Sequence, residues 1–193
     1  MKEDKIYKLH KKYSTGEKTL ECVWLHSLVV KDIALEIAEN VEKKYGTKVN
    51  KKLIEIGALV HDIGCYTCIG NNFCFDKNYI THGEIGYKIL LENKYPINVA
   101  RFSLVHIGVG IGNMIPVTLE EEIVAYSDNF HSKKPIRFNN YENEKQKLEG
   151  FEKSKGIIFE RFKDKFEIPN LEKLEEKYKD RHGEINKWME ELK

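Results

Sequence analysis

His61 and Asp62 stand side by side at the end of the apolar run LIEIGALVHDIGC. A chain that buries this run must bury an imidazole and a carboxylate with it, and a polar group left unpartnered in an apolar interior is costly. A neutral nitrogen donor beside a hard anionic oxygen suits a divalent or trivalent metal better than it suits a hydrophobic core. Four further residues of ligand type, His26, His82, His106 and Asp128, lie in similar apolar helical settings. Taken singly, each is accounted for as a hydrogen-bonded core histidine or a helix-end aspartate, and His10, His131 and His182 are read that way. Taken together, the six would need several independent sets of partners. One binuclear centre satisfies them all, and ligands on helices supply the rigidity such a site needs. The order His…His-Asp…His…His…Asp across residues 26–128 therefore reads as a two-metal site.

The frame around these residues is helical. Thr19 to about Tyr45 carries the stripe Leu25, Val29, Ile33, Ile37 and Val41 at near-helical period, with Gly46 as its stop. Asn50 is placed to cap a helix over Lys51–Asp62 that ends at Gly64. Residues 65–80 read as a long loop. Thr81-x-x-Glu84 and Thr118-x-x-Glu121 are capping-box patterns opening two more helices. Pro96 suits the first turn of a helix ending near His106. The stretch GVGIGN after it follows a helix rather than a strand, so it reads as a turn and not as a dinucleotide fingerprint. HSKKPIRFNN reads as a polar, basic loop, and residues 141–166 and 170–192 as amphipathic helices. The expected fold is all-α, one domain over residues 1–193, with a core at about 19–131 and a C-terminal helical extension at 141–193 packed on it.

Composition narrows the function classes. Hydrophobic residues make up 41% and charged residues 33% of 193, the profile of a soluble globular chain. No apolar run approaches membrane-span length, and the charged N-terminus lacks the apolar stretch of a signal peptide, so a cytoplasmic location is expected. A net charge of +1 gives no general drive toward nucleic acid or an anionic membrane. Cys65, Cys68 and Cys74 are read as reduced thiols beside the site, with a zinc clip or redox control as alternatives; Cys22 is read as a small buried residue.

The stretches WLHSLVVKDIALEIA, IGALVHDIG, YITHGEIGYKIL, ARFSLVHIGVGIG and EEEIVAYSDNF occur in the order, and with the HDIG string, that is similar to the HD-domain superfamily of metal-dependent phosphohydrolases. The resemblance covers residues 24–130, and the two extra histidines resemble its binuclear branches. It implies an HD-domain helical bundle. It also implies that His26, His61, Asp62 and Asp128 hold one metal, and that Asp62, His82 and His106 hold the other, with Asp62 bridging. The ions would be two divalent or trivalent transition metals: iron, manganese, nickel, cobalt or zinc.

The expected activity is hydrolysis of a phosphate ester or anhydride of a small molecule, with a nucleotide as the leading candidate, by a metal-activated hydroxide. His61 and Asp62 are the expected catalytic residues. His131, Lys133, Lys134 and Arg137 would bind the substrate phosphate. Lys31 points about 140° from His26 on an ideal helix and is read as solvated, and Arg101 is read as facing solvent. The same ligand set also resembles HD-fold di-iron oxygenases that use O2, and a non-catalytic regulatory module is a third reading. The C-terminal helices either cover the core or form a homodimer contact.

Overall fold

The computed structural model describes residues 3–70, 72–107, 115–139 and 151–192, with 151–156 by backbone alone. Its helices are α1 (Glu3–Tyr13), α2 (Glu17–Tyr45), α3 (Lys51–Val60), α4 (His82–Glu92), α5 (Ile97–Val105), α6 (Leu119–Asp128), α7 (Phe151–Phe162) and α8 (Leu171–Glu190). The all-α HD-type bundle expected from the sequence is what the chain forms. The glycine-rich GVGIGN stretch and the helix expected over 141–150 lie outside the described residues. Among the described residues, no helix is long and apolar enough to cross a membrane.

α2 is the axis. The stripe Leu25, Val29, Ile33, Ile37 and Val41 is buried, and Cys22, Val23, Val30, Ala34 and Ala38 widen it. α3, α6, α8 and a hairpin pack against the helix, which keeps a less buried side at Leu28, Asp32, Leu35, Glu39 and Glu42. It stops where Gly46 takes up a left-handed φ of 65° and returns its N–H to the Glu42 carbonyl. Asn50 caps α3 by accepting from the Leu53 N–H at 3.0 Å, and Thr118 caps α6 by accepting from the Glu121 N–H at 3.2 Å.

Four expectations need correction. The 65–80 region holds two short 3-10 turns, Ile63–Thr67 and Lys77–Thr81. The second runs directly into α4, so Thr81 does not cap: its hydroxyl donates to the Asn78 carbonyl, and Asp76 caps the turn instead. HSKKPIRF is no loop but an antiparallel hairpin, β1 (His131–Lys133) with β2 (Ile136–Phe138). Arg101 does not simply face solvent; it makes a bidentate pair with Glu121 at 2.7 and 3.1 Å, tying α5 to α6.

α8 docks through Leu174, Tyr178 and Ile185, which join the same buried apolar cluster as α2. The Tyr178 hydroxyl donates to Asp32 at 2.6 Å. Asn186 takes the Ile136 N–H at 3.0 Å and gives its amide N–H to the Ile136 carbonyl at 2.9 Å, so one side chain pairs with the outer edge of β2.

Two close approaches set where α4 lies. A Cβ on Gly64 would meet the His82 carbonyl oxygen at 1.9 Å, and one on Gly86 would meet the Ser103 hydroxyl at 2.1 Å. Only glycines let α4 lie against the turn after Asp62 and against α5. Gly64→Ala should lower the unfolding free energy by about 3 kcal/mol or more, because backbone rather than a pliable side chain must move; denaturant titration measures it.

His10 of α1 is fully buried, with Nδ1 2.8 Å from the Tyr66 hydroxyl and Nε2 2.8 Å from the Leu59 carbonyl. That agrees with its reading as a core histidine. Burial pushes its pKa down to about 4, below the unfolded value of about 6.5. Neutral His10 therefore stabilises the fold above about pH 6.5, and up to about 3 kcal/mol is lost as pH falls toward 4. His10→Gln, which keeps one acceptor and one donor, should flatten the slope of unfolding free energy against pH in that window.

Candidate metal centre

The six ligand-type residues meet at one place, and most arrive from helix ends. His61 caps the C-terminus of α3 and His106 that of α5, Asp128 is the last residue of α6, and His82 is the first of α4. All point at His26 or Asp62, with His26 midway along α2 and Asp62 at the head of the 3-10 turn. Three helix C-termini converge, each carrying partial negative charge that favours a cation.

Asp62 divides the group in two. Its Oδ2 lies 3.2 Å from His26 Nε2 and 3.5 Å from His61 Nε2. Its Oδ1 lies 3.0 Å from His82 Nε2 and 3.3 Å from His106 Nε2. Asp128 Oδ1 is 2.9 Å from His26 Nε2 and 3.5 Å from His61 Nε2. Two buried sets result, His26–His61–Asp62–Asp128 and Asp62–His82–His106, each with its donor atoms within 4.8 Å of one another.

The ring protons test whether these sets suit a metal. His61 Nδ1 lies 2.7 Å from the Ala58 carbonyl, His106 Nδ1 lies 2.7 Å from the Ser103 carbonyl, and His82 Nδ1 meets the Tyr79 carbonyl. A carbonyl only accepts, so each ring carries a proton on Nδ1 and, when neutral, turns an Nε2 lone pair inward. His82 and His106 thereby aim two lone pairs at each other across 3.0 Å. Such pairs repel unless a proton or a cation lies between them. Ligands about 2.0–2.1 Å from one ion sit roughly 3.0–3.4 Å apart, and the observed separations of 2.9–3.5 Å span that range. The residues fit a transition-metal ion in each set.

Of the expected phosphate-binding residues, the structure brings Lys133 to the centre and scatters the others. Lys133 is buried, forms an ion pair with Asp62 and places Nζ 3.4 Å from His26 Nε2. Burial opposes its charge, but Asp62, Tyr79 and Cys65 outweigh burial and push its pKa well above the usual lysine range. Burial likewise opposes the Asp62 charge, yet Lys133 and His61 hold that carboxyl well below the usual carboxylate range. Lys134 and Arg137 are exposed, with Lys134 Nζ 3.1 Å from the Cys74 sulfur. His131 stands behind His26, with the two Nδ1 atoms 2.9 Å apart.

The burial of Lys133 and the place of His131 are what the sequence reading missed. The sequence carried no signal for either: His131, Ser132 and Lys133 are all polar, so the alternating burial of β1 leaves no apolar pattern. Cys65 is buried and donates its thiol to Asp62 Oδ1 at 3.2 Å, and burial raises its pKa well above the usual thiol range. Cys22, Cys65, Cys68 and Cys74 are all free thiols.

Known proteins share this frame. The chain is 34% identical over 116 residues to an uncharacterized protein of Methanocaldococcus jannaschii, a match covering 54% of this chain and 63% of that protein. It is 33% identical over 113 residues to the dihydroneopterin 2',3'-cyclic phosphate phosphodiesterase of the same organism, covering 56% of this chain and 45% of the relative. The chain thus spans less than two thirds of the length of the curated relatives it matches. A crystal structure of the HD domain of the L. monocytogenes phosphodiesterase PgpH, in complex with cyclic-di-AMP, superposes with a TM-score of 0.52 at 18% identity, over 96% of this chain and 93% of that one. That likeness is one of fold. The HD domain model matches residues 23–133, more than half of the chain and the whole stretch that carries the six ligand-type residues. By that match the chain belongs to the HD domain family.

Proposed function

We propose that this chain is a metal-dependent phosphohydrolase that cleaves a phosphate ester or anhydride of a small, nucleotide-type molecule. The observation that carries the reading is the buried carboxylate of Asp62, one oxygen facing each histidine set, with the Lys133 ammonium beside it. A relative named as a 2',3'-cyclic phosphate phosphodiesterase supports it, and the phosphodiesterase HD domain seen with cyclic-di-AMP shares the fold. A phosphodiester is therefore the preferred bond.

On this reading His26, His61, Asp62 and Asp128 hold one metal, and Asp62, His82 and His106 hold the other. Iron, manganese, nickel, cobalt and zinc all suit such a donor set. Bound there, the metals supply Lewis-acid polarisation of a phosphoryl oxygen and lower the pKa of water at the site. The protein does the rest. Asp62 fixes the spacing of the two positions, and His61 is oriented by its bond to the Ala58 carbonyl. Lys133 offsets phosphate charge from a buried position, where a charge-assisted contact is less screened than at the surface. Lys134 and Arg137 lie further out on the hairpin and reach the more distant part of a substrate.

The test is turnover on a panel of 2',3'-cyclic nucleotides, cyclic dinucleotides and bis(p-nitrophenyl) phosphate, after chelator stripping and reloading with each metal. Metal-dependent phosphate-ester cleavage is expected. Asp62→Asn, by disrupting both positions, should remove several kcal/mol of transition-state stabilisation, about 10³-fold in rate. Lys133→Met should lower kcat/KM by about 10- to 100-fold, the worth of one charged hydrogen bond. Undiminished turnover in Asp62→Asn would end the proposal. Oxygen uptake by the iron-loaded protein without phosphate-ester cleavage would put the oxygenase reading in its place.

A further inference from the structure

His26 differs from the other inward-facing rings in how its second nitrogen is held. His61 and His106 close their helices, where the carbonyl three residues back has no helical N–H of its own to accept, and each ring uses it. His82 does the same with the last 3-10 turn. His26 lies mid-helix in α2, where the carbonyls are taken by the helix ladder. Its Nδ1 is met by a side chain instead: His131 Nδ1 of β1, at 2.9 Å. His131 Nε2 in turn lies 3.1 Å from His182 Nε2 on α8. His26 and His131 are fully buried, and His182 is half-buried where α8 crosses the hairpin.

The three rings allow one proton order once His26 Nε2 gives its lone pair to a cation. The His26 proton then sits on Nδ1 and is donated to His131 Nδ1. His131 must carry its own proton on Nε2 and donate it to His182 Nε2, which leaves the His182 proton on Nδ1. Each tautomer fixes the next, from the centre of the protein to its C-terminal helix.

We propose that His131 is a positioning residue for His26, and that His182 completes it, so that the seating of α8 sets the metal affinity of the position that includes His26. This rests on the metal-site reading above. An acceptor behind a metal-bound imidazole orients the ring and raises its basicity, and its loss commonly costs 10- to 100-fold in metal affinity. The other position, built from Asp62, His82 and His106, has rings backed by backbone carbonyls and owes nothing to His131.

The experiment titrates metal-stripped full-length protein with Co(II) against a competing chelator, resolving the first and second equivalents. The variants are His131→Leu, His131→Asn and His182→Leu, each checked for helicity and thermal unfolding. His131→Leu should weaken one equivalent by about 10- to 100-fold and leave the other unchanged. His131→Asn, whose side-chain oxygen stands near the former Nδ1, should recover most of the loss. His182→Leu should weaken the same equivalent by a few-fold. Wild-type affinity for both equivalents in His131→Leu would overturn the proposal. Equal losses in the Leu and Asn variants would do so too, since they would mark a packing role. If His131→Leu fails to fold, His182→Leu and His131→Asn carry the same comparison, and unaltered affinity in His182→Leu together with impaired affinity in His131→Asn overturns it. Wild-type protein that binds no Co(II) would strike at the metal-site reading itself, a result distinct from two intact equivalents in His131→Leu.

Discussion

Imidazole nitrogens turned toward one another in a buried interior are the constraint on which the rest of the structure depends. His61, His82 and His106 each give the Nδ1 proton to a backbone carbonyl, so as neutral rings they have none left for Nε2. What remains inward is electron density, gathered around the Asp62 carboxylate. Such a cluster is stable only with positive charge inside it, and everything nearby is arranged accordingly. Helix C-termini point at it, and the Lys133 ammonium comes in from the hairpin. The deep burial of the core side of α2 follows as well, because His26 must reach the cluster from the middle of a helix rather than from an end.

The two sets of ligands differ in how they are built. His82 and His106 hang from α4 and α5, which are held by glycine-mediated backbone approach at Gly64 and Gly86. Their second nitrogens find acceptors within their own turns. The His26 set draws on α2, α3 and α6, and its backing comes from a hairpin and a C-terminal helix far away in the chain. One half of the centre is thus locally determined and the other is determined by tertiary packing.

That difference explains what could be read from the sequence. The six inward residues were legible because each is a polar side chain in a helical apolar pattern. The α2 stripe and the caps at Asn50 and Thr118 were legible because they are local. The hairpin was not, because HSKKPIRF offers only three residues per strand and too few apolar positions to display alternation. Burial of Lys133 depends on a carboxylate 71 residues away, and the His131–His182 contact on a separation of 51. The Thr81 pattern misled because a 3-10 turn runs into α4 and leaves no free helix start to cap.

The amide of Asn186 has a consequence of its own. An isolated pair of three-residue strands holds together poorly in water, and its outer edge offers an unpaired N–H and carbonyl. Asn186 supplies both complements at Ile136, as a neighbouring strand would. The hairpin is in effect a three-membered sheet whose third member is one side chain of α8. Lys133 stands on the strand paired with that braced edge, so the electrostatic character of the centre draws on a side chain some fifty residues downstream, outside the residues 23–133 that the HD domain model matches.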